Sequence, residues 1–336
     1  MAEALKVDEN PFWSPTRLGT MEKCRKAYWF EYVKHLKYMV PSAVAIGKHN
    51  HRIAEKMWLA DSHNSKILVP GYSSYSACVN TSVGNWKHFY VSTGKMEGRV
   101  IDWGDYDCRG YSPRLFGRIA ETAGLIYTRG MNEEPRLASE IEIKVEFEGL
   151  KIMARIDELR KGLIIRDHKS GGERIGEYFV KNNLQLTLCA MCLFQALQEP
   201  YTLVSDIYPE HAEINLDRFL DVLNVEINDI FPRTEKGVRK SNSVIYPAKR
   251  TEKDFHDVIA MIQSARESLR KRDFHPSREN CDYCFYKKDC NSYNPEDYHA
   301  GEYTKLFPLF ASAGMVLEDY KPRTVRRSRQ KSFRFN

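Results

Sequence analysis

The arrangement of apolar and polar positions changes at about residue 137. Before it the chain reads as helices, and after it strands and helices alternate. Ser14 stands as an N-cap with Pro15 at the first helical position, and this opens a helix over 14–35 that carries Cys24. A second helix covers 42–60 and holds Gly47 and His51. Further helices are expected near 72–92 and 112–130. The Gly- and Asp-rich stretch 94–113 between them reads as loop. Residues 137–147 then alternate with the period of a half-buried strand. Segments 151–158 and 163–168 are two further strands around the turn Arg160-Lys161-Gly162. A helix over 176–198 carries Gln185 and is followed by an expected strand at 201–208. Helices are expected at 216–229 and 251–271, with a basic loop at 233–250 between them. There is no internal repeat. Strands wrapped by helices from both ends of the chain make one α/β core.

Composition narrows the class. Hydrophobic residues are 42% and charged residues 29% of the 336, which fits a globular protein. No apolar run approaches eighteen residues, so no membrane span is expected. The first residues carry no basic patch followed by an apolar stretch, so no secretory signal is expected. The net charge is +6, but seven Lys and Arg and no acid fall within the last sixteen residues. The rest is balanced to within one charge, so the basic character belongs to a tail. That tail either neutralises phosphates of a nucleic acid or is a solvated end. Eight cysteines in a chain with no export signal point to free thiols or metal ligands in a reducing, cytoplasmic compartment.

The chemistry concentrates in one hairpin. Asp167 and Lys169 stand two apart on a strand and share a face. A three-residue turn with Gly162 left-handed pairs Asp157 with Ile165, diagonal to Asp167. Both carboxylates and the lysine then point the same way. Facing acids repel, and a hard cation such as Mg²⁺ or Mn²⁺ relieves this with oxygen ligands. Such an ion activates water and stabilises charge on a phosphate, while Lys169 orients the water or meets the developing charge. An Asp-x-Lys triplet alone is commonly a surface ion pair. Here it closes an apolar strand, follows a hairpin acid by ten residues and precedes a Gly-rich loop.

Taken together, Gly47-x-x-x-His51, Glu140, Arg155-Ile156-Asp157, Asp167-His168-Lys169 and Gln185 resemble the RecB-like branch of the PD-(D/E)xK nucleases. The resemblance implies a restriction-endonuclease-like core, a mixed central sheet flanked by helices. It implies metal ligation by His51, Asp157, Asp167 and the backbone carbonyl of His168, with Glu140 in support. Catalytic roles fall to Asp157, Asp167, Lys169 and Gln185. His49 is a rival imidazole, and the spacing from Gly47 matches the branch at His51. The branch's Gln-x-x-x-Tyr element, which contacts DNA, reads Gln185 to Cys189 here and lacks the tyrosine.

Cys281, Cys284 and Cys290 stand close in sequence without a fourth ligand nearby, and Cys24 can supply one. Four thiolates hold a 4Fe–4S cluster or tetrahedral Zn²⁺, and spacing does not separate the two. The resemblance favours iron–sulfur. AddB nuclease domains and CRISPR-adaptation nucleases place one cysteine before the core and three after it, and Phe274-His275-Pro276 fits their approach to the cluster. Cys78, Cys108, Cys189 and Cys192 read as small core residues.

These patterns divide the chain into N-terminal helices (1–60), a helical insertion (61–136), a nuclease core (137–273), a cysteine region (274–295) and an extension with the basic tail (296–336). Trp86, Phe89, Tyr90 and Trp103 in the insertion are either core or a platform for single-stranded bases. The resemblance implies a metal-dependent deoxyribonuclease, foremost an exonuclease on single-stranded ends in recombination, repair or replication. Its partners are DNA and a helicase or recombination protein. Its place is the nucleoid, or the host cytoplasm for a virus-encoded chain. Alternatives are a flap endonuclease and a non-catalytic DNA-binding module of a helicase–nuclease complex.

Overall fold

The structure is a computed structural model that describes residues 7–60, 66–68, 72, 74–103, 113–132, 136–170, 175–199, 204, 207–211, 214–235, 238–277, 281, 284–286 and 289–290. The basic tail, Cys108 and parts of the 61–136 insertion lie outside these residues. The helices are α1 (Pro15–Lys23), α2 (Arg25–Tyr28), α3 (Ser42–Met57), α4 (Tyr75–Trp86), α5 (Pro113–Asn132), α6 (Glu177–Lys181), α7 (Leu184–Gln198), α8 (Leu216–Val222) and α9 (Glu252–Arg270). The strands are β1 (Val40–Pro41), β2 (Trp58–Ala60), β3 (Lys66–Leu68), β4 (Lys95–Met96), β5 (Arg99–Asp102), β6 (Ala138–Phe147), β7 (Leu150–Arg160), β8 (Ile164–Lys169), β9 (Asn224–Glu235) and β10 (Val238–Ala248). Short π-helical turns, Trp29–Val33 and Lys87–Val91, extend α2 and α4. No helix among the described residues is long and apolar enough to cross a membrane.

The organising layer is a five-stranded mixed sheet in the order β10-β9-β8-β7-β6. Every pairing is antiparallel except β8 with β9. The β6–β7 turn is tight because Glu148 and Gly149 both adopt positive φ, +49° and +72°, and Phe147 pairs directly with Leu150. β8 reaches only the last three residues of β7. Beyond it Trp13 takes the free edge, donating to Lys151 O at 2.8 Å and accepting from Met153 N–H at 3.0 Å. Helix α7 packs on β6 and β7 and is buried along most of its length, from Leu186 to Leu197. It is apolar on nearly every side because α1 and α9 pack on it as well. Helix α9 starts in a capping box in which Thr251 and Asp254 satisfy each other's backbone N–H groups.

Several expectations need correction. The first helix breaks at Cys24, whose backbone is extended (φ −165°, ψ 111°). The second ends at Met57, where β2 begins. Residues 94–103 are not loop but a small hairpin, β4 with β5. The helix expected over 216–229 stops at Val222. Leu223 turns extended, and the alternation Val225, Ile227 against Glu226, Asn228 makes β9. The basic loop is largely β10, paired along β9. Period-two alternation next to a short helix also fits a helical pattern, and pairing with the parallel partner β8 makes it a strand. In 201–208 the described residues Val204 and Ile207 are helical, not strand. Trp86 and Tyr90 pack with Val40, Ile101 and Leu115 in a satellite core, which leaves Phe89 as the exposed aromatic of that group, at 46%.

Candidate active site

The β7–β8 hairpin turns through Lys161-Gly162-Leu163, with Gly162 at φ +77° and Leu163 at φ +54°. The ladder pairs Glu158 with Arg166, Leu159 with Ile165 and Arg160 with Ile164. The expected Asp157–Ile165 register is therefore wrong by two residues. Leu163, buried in the main core, is drawn into the turn and resets it. A slip of two preserves parity, so the shared face survives. The register continued one step beyond the last pair brings Asp157 to the level of Asp167, where the His168 N–H bonds the Asp157 side chain.

On the other edge of β7, Glu140 lies between the pairs Ser139–Glu158 and Ile141–Ile156, hence opposite Asp157. Glu140, Asp157 and Asp167 thus stand in a row on three neighbouring strands, with Asp167 one step past the paired part of β7 and β8. Glu140 has φ +52°. For a non-glycine residue this left-handed backbone costs about 1 kcal/mol, and such strain persists only where the surroundings enforce it.

His51 reaches the row from α3. Its Nδ1 lies 3.3 Å from Asp157 Oδ2 and 3.8 Å from Glu140 Oε1. Among the described residues, these three form the one group whose candidate ligand atoms all lie within 4.8 Å of one another. An imidazole and two carboxylates suit a hard divalent cation. His49 faces elsewhere: it is buried, its Nε2 is 3.0 Å from Ser82 O, and its ring is edge-on to Trp86 and Tyr90.

Asp167 is 3% exposed, and the Lys169 ammonium lies 3.0 and 2.9 Å from its two oxygens. The same ammonium donates to Gln185 Oε1 at 3.0 Å. Gln185 holds its place because Asn183 caps α7, accepting from Leu186 N–H at 3.0 Å. His168 contributes its backbone N–H, which donates to Asp157 Oδ2 at 2.9 Å. Its ring faces the other way, with Nε2 3.1 Å from Glu158 Oε2 and Nδ1 3.3 Å from Asn228 Nδ2. Ser243 Oγ donates to Asn228 Oδ1 at 2.6 Å. Glu158 also meets Arg160 at 2.8 Å and Arg166 at 3.6 Å. This buried charged layer beneath the row was not anticipated. The alternating Glu158-x-Arg160 on a strand was the signal that could have shown it.

The charges are strongly coupled. Burial opposes a charge on His51, but the Asp157 carboxylate, with Glu140 and Asp167, outweighs it and pushes the imidazole up to about 10. Burial likewise opposes the Asp157 carboxylate, but His51 and His168 hold it down to about 2. Asp167 goes the other way. Burial raises it, and Asp157 adds to that against Lys169. Lys169 is raised, since Asp167 more than offsets its burial.

Cys24, Cys281, Cys284 and Cys290 come from the two ends of the chain into one region. Ser277 N–H donates to Cys24 Sγ at 3.4 Å, and Cys281 Sγ donates to Ser277 O at 3.7 Å. The Cys284 thiol is raised by burial and then by the Cys24, Cys281 and Cys290 sulfurs. No three of these sulfurs lie within 4.8 Å of one another. Cys189, at the position of the branch's tyrosine, is buried and donates to Arg155 O at 3.7 Å.

A mixed sheet whose central hairpin carries an acid row with an adjoining lysine defines a class of nucleic-acid hydrolase folds. The chain belongs to the PD-(D/E)XK nuclease superfamily, whose family model matches residues 12–291. The class is that of nucleases, with DNA as the substrate the family implies. No curated protein sequence matches the chain. Among solved structures it is similar to a candidate exonuclease from Eubacterium rectale, at 12% identity and TM-score 0.42, covering 86% of this chain and 93% of that one. It is also similar to SSO0001, at 14% identity and TM-score 0.27, covering 73% and 95%.

Proposed function

We propose that this nuclease is a Mg²⁺- or Mn²⁺-dependent deoxyribonuclease acting on single-stranded DNA ends. The observation that carries the proposal is the meeting of His51 with Glu140 and Asp157 in a row that continues to Asp167, Lys169 and Gln185. His51, Asp157, Asp167 and the His168 carbonyl would hold the cation, with Glu140 beside them. When bound, the ion supplies positive charge against the phosphate and acidifies water. The chain's own residues do the rest. His168 N–H fixes the Asp157 carboxylate, and Lys169 holds a positive charge where negative charge develops during hydrolysis. Gln185 keeps the Lys169 ammonium in place. His51 acts as a ligand through its unprotonated nitrogen, so cation binding and protonation of His51 compete.

The test is digestion of end-labelled linear and circular DNA, single- and double-stranded, with and without Mn²⁺. Linear single strands should be cut and circles spared, and Asp167→Ala should be inactive. Wild type and Asp167→Ala behaving alike would sink the proposal.

A structural 4Fe–4S cluster on Cys24, Cys281, Cys284 and Cys290 is part of the same proposal. Its support is the contacts that Cys24 and Cys281 share at Ser277, with Cys284 in the same region. Anaerobic purification with iron and sulfide analysis tests it. Stoichiometric zinc without iron overturns it.

A further inference from the structure

Helix α3 presents His51 to the acid row and, on its adjoining flank, borders a cavity of about 380 Å³. Its walls include His49, Arg52 and Glu55 from α3, Asn85 from α4, Phe89 from the π-helical turn after it, and Tyr72. Phe89 is 46% exposed there, while Trp86 and Tyr90 of the same helical run are buried. Tyr72 is buried, and its hydroxyl accepts from Asn85 Nδ2 at 3.5 Å. Arg52 is exposed, and its side chain also hydrogen-bonds Tyr90.

We propose that this cavity takes an unpaired nucleobase of a DNA strand lying on the acid row. The inference rests on the nuclease proposal and deepens it. The volume is at the small end of ligand cavities, suited to one planar ring system. Phe89 offers an aromatic face, and stacking on such a face is how single strands are held without regard to sequence. Arg52 and Asn85 provide donors for a base edge, and Glu55 provides an acceptor. The carboxylate of Glu55 on the same wall disfavours a bare phosphate or another small anion. Position completes the argument. Glu55 of the cavity wall stands one helical turn after His51 on α3, so the two share a flank, and a strand with a phosphate at His51 brings a neighbouring base toward the mouth. A paired base would have to leave its duplex to enter, so the cavity favours single strands.

The experiment measures binding by the full chain in EDTA, where no cleavage depletes the probe. Fluorescence anisotropy compares a labelled single-stranded oligonucleotide with a labelled hairpin duplex. Phe89→Ala should weaken single-strand binding by about tenfold or more and leave the hairpin unchanged, and Phe89→Trp should restore the single strand. Arg52→Met should also weaken the single strand selectively. An unchanged melting temperature confirms that each variant folds. Phe89→Ala binding both probes as wild type does, or losing both equally, overturns the proposal. The two proposals fail separately. A wild type that cuts DNA while Phe89→Ala binds normally removes only the cavity. A wild type that binds in the expected pattern yet never cuts removes only the nuclease.

Discussion

At the scale of single residues, the site is held together by charge. Lys169 spans both oxygens of Asp167 and is steadied by Gln185. Lys169→Met should lower the cleavage rate about 10²–10³-fold, with the Mn²⁺ concentration for half-maximal activity little changed. A metal titration of both proteins checks this, and a large shift in metal demand would give Lys169 a different role. His49 makes a separate prediction. Burial drives its pKa down to about 4, against the Ser82 carbonyl, which favours the proton. The unfolded chain takes that proton near pH 6.5 and the native state only near 4. Protonation therefore favours unfolding. Stability present above about pH 6.5 should fall as the pH drops toward 4, by about 3 kcal/mol in all. Urea midpoints across this range should fall less for His49→Gln than for wild type. Much of this chemistry was legible beforehand, since Asp157, Asp167 and Lys169 lie on one hairpin and strand periodicity is local. The tie between Lys169 and Gln185, and the buried charges around Glu158, were not, because they depend on which side chains meet through the sheet.

At the scale of elements, α7 is the beam under the site. Leu193 is fully buried among the sheet, α1 and α9. Leu193→Ala should cost about 2–5 kcal/mol in chemical denaturation and leave cleavage per folded molecule intact. Thr251→Ala removes the α9 capping box and should cost about 1 kcal/mol, again without touching chemistry. Long elements with clean patterns, α5, β6, β7 and α9, fall close to where the sequence puts them. The single helix expected over 176–198 breaks at Asn182 and Asn183 into α6 and α7, because the Asn183 side chain caps a new helix start. The error at β9 and β10 has a plain cause. A strand that follows one helical turn presents apolar residues at spacings a helix also permits, and its pairing with β8 is not visible in its own residues.

At the scale of the whole molecule, the two ends meet. Arg25 pairs with Asp273, Cys24 accepts from Ser277, and Tyr38 stacks on Phe285 at 4.5 Å. With the proposed cluster these contacts close a loop of more than two hundred residues around the core, and cluster binding becomes folding free energy. Cys284→Ser should therefore lose iron and lower Tm by roughly 5 °C or more. Cys78→Ser, a buried thiol elsewhere in the fold, should keep its iron. Iron content and thermal melts of the two variants decide this, and equal iron content would remove the clasp.

The sequence by itself determined the α/β class, the carboxylate hairpin with its lysine, and the helix that follows it. Each is written in the period of a few neighbouring residues and the turn between them. Only the tertiary structure decided that His51 and not His49 faces the acids, that Leu163 in the turn sets the register of Asp157 against β8, and that Cys24 meets Ser277 ahead of the C-terminal cysteines. Those outcomes depend on packing and pairing between segments, in two of the three cases a hundred residues or more apart, and local pattern carries no record of which surfaces will meet.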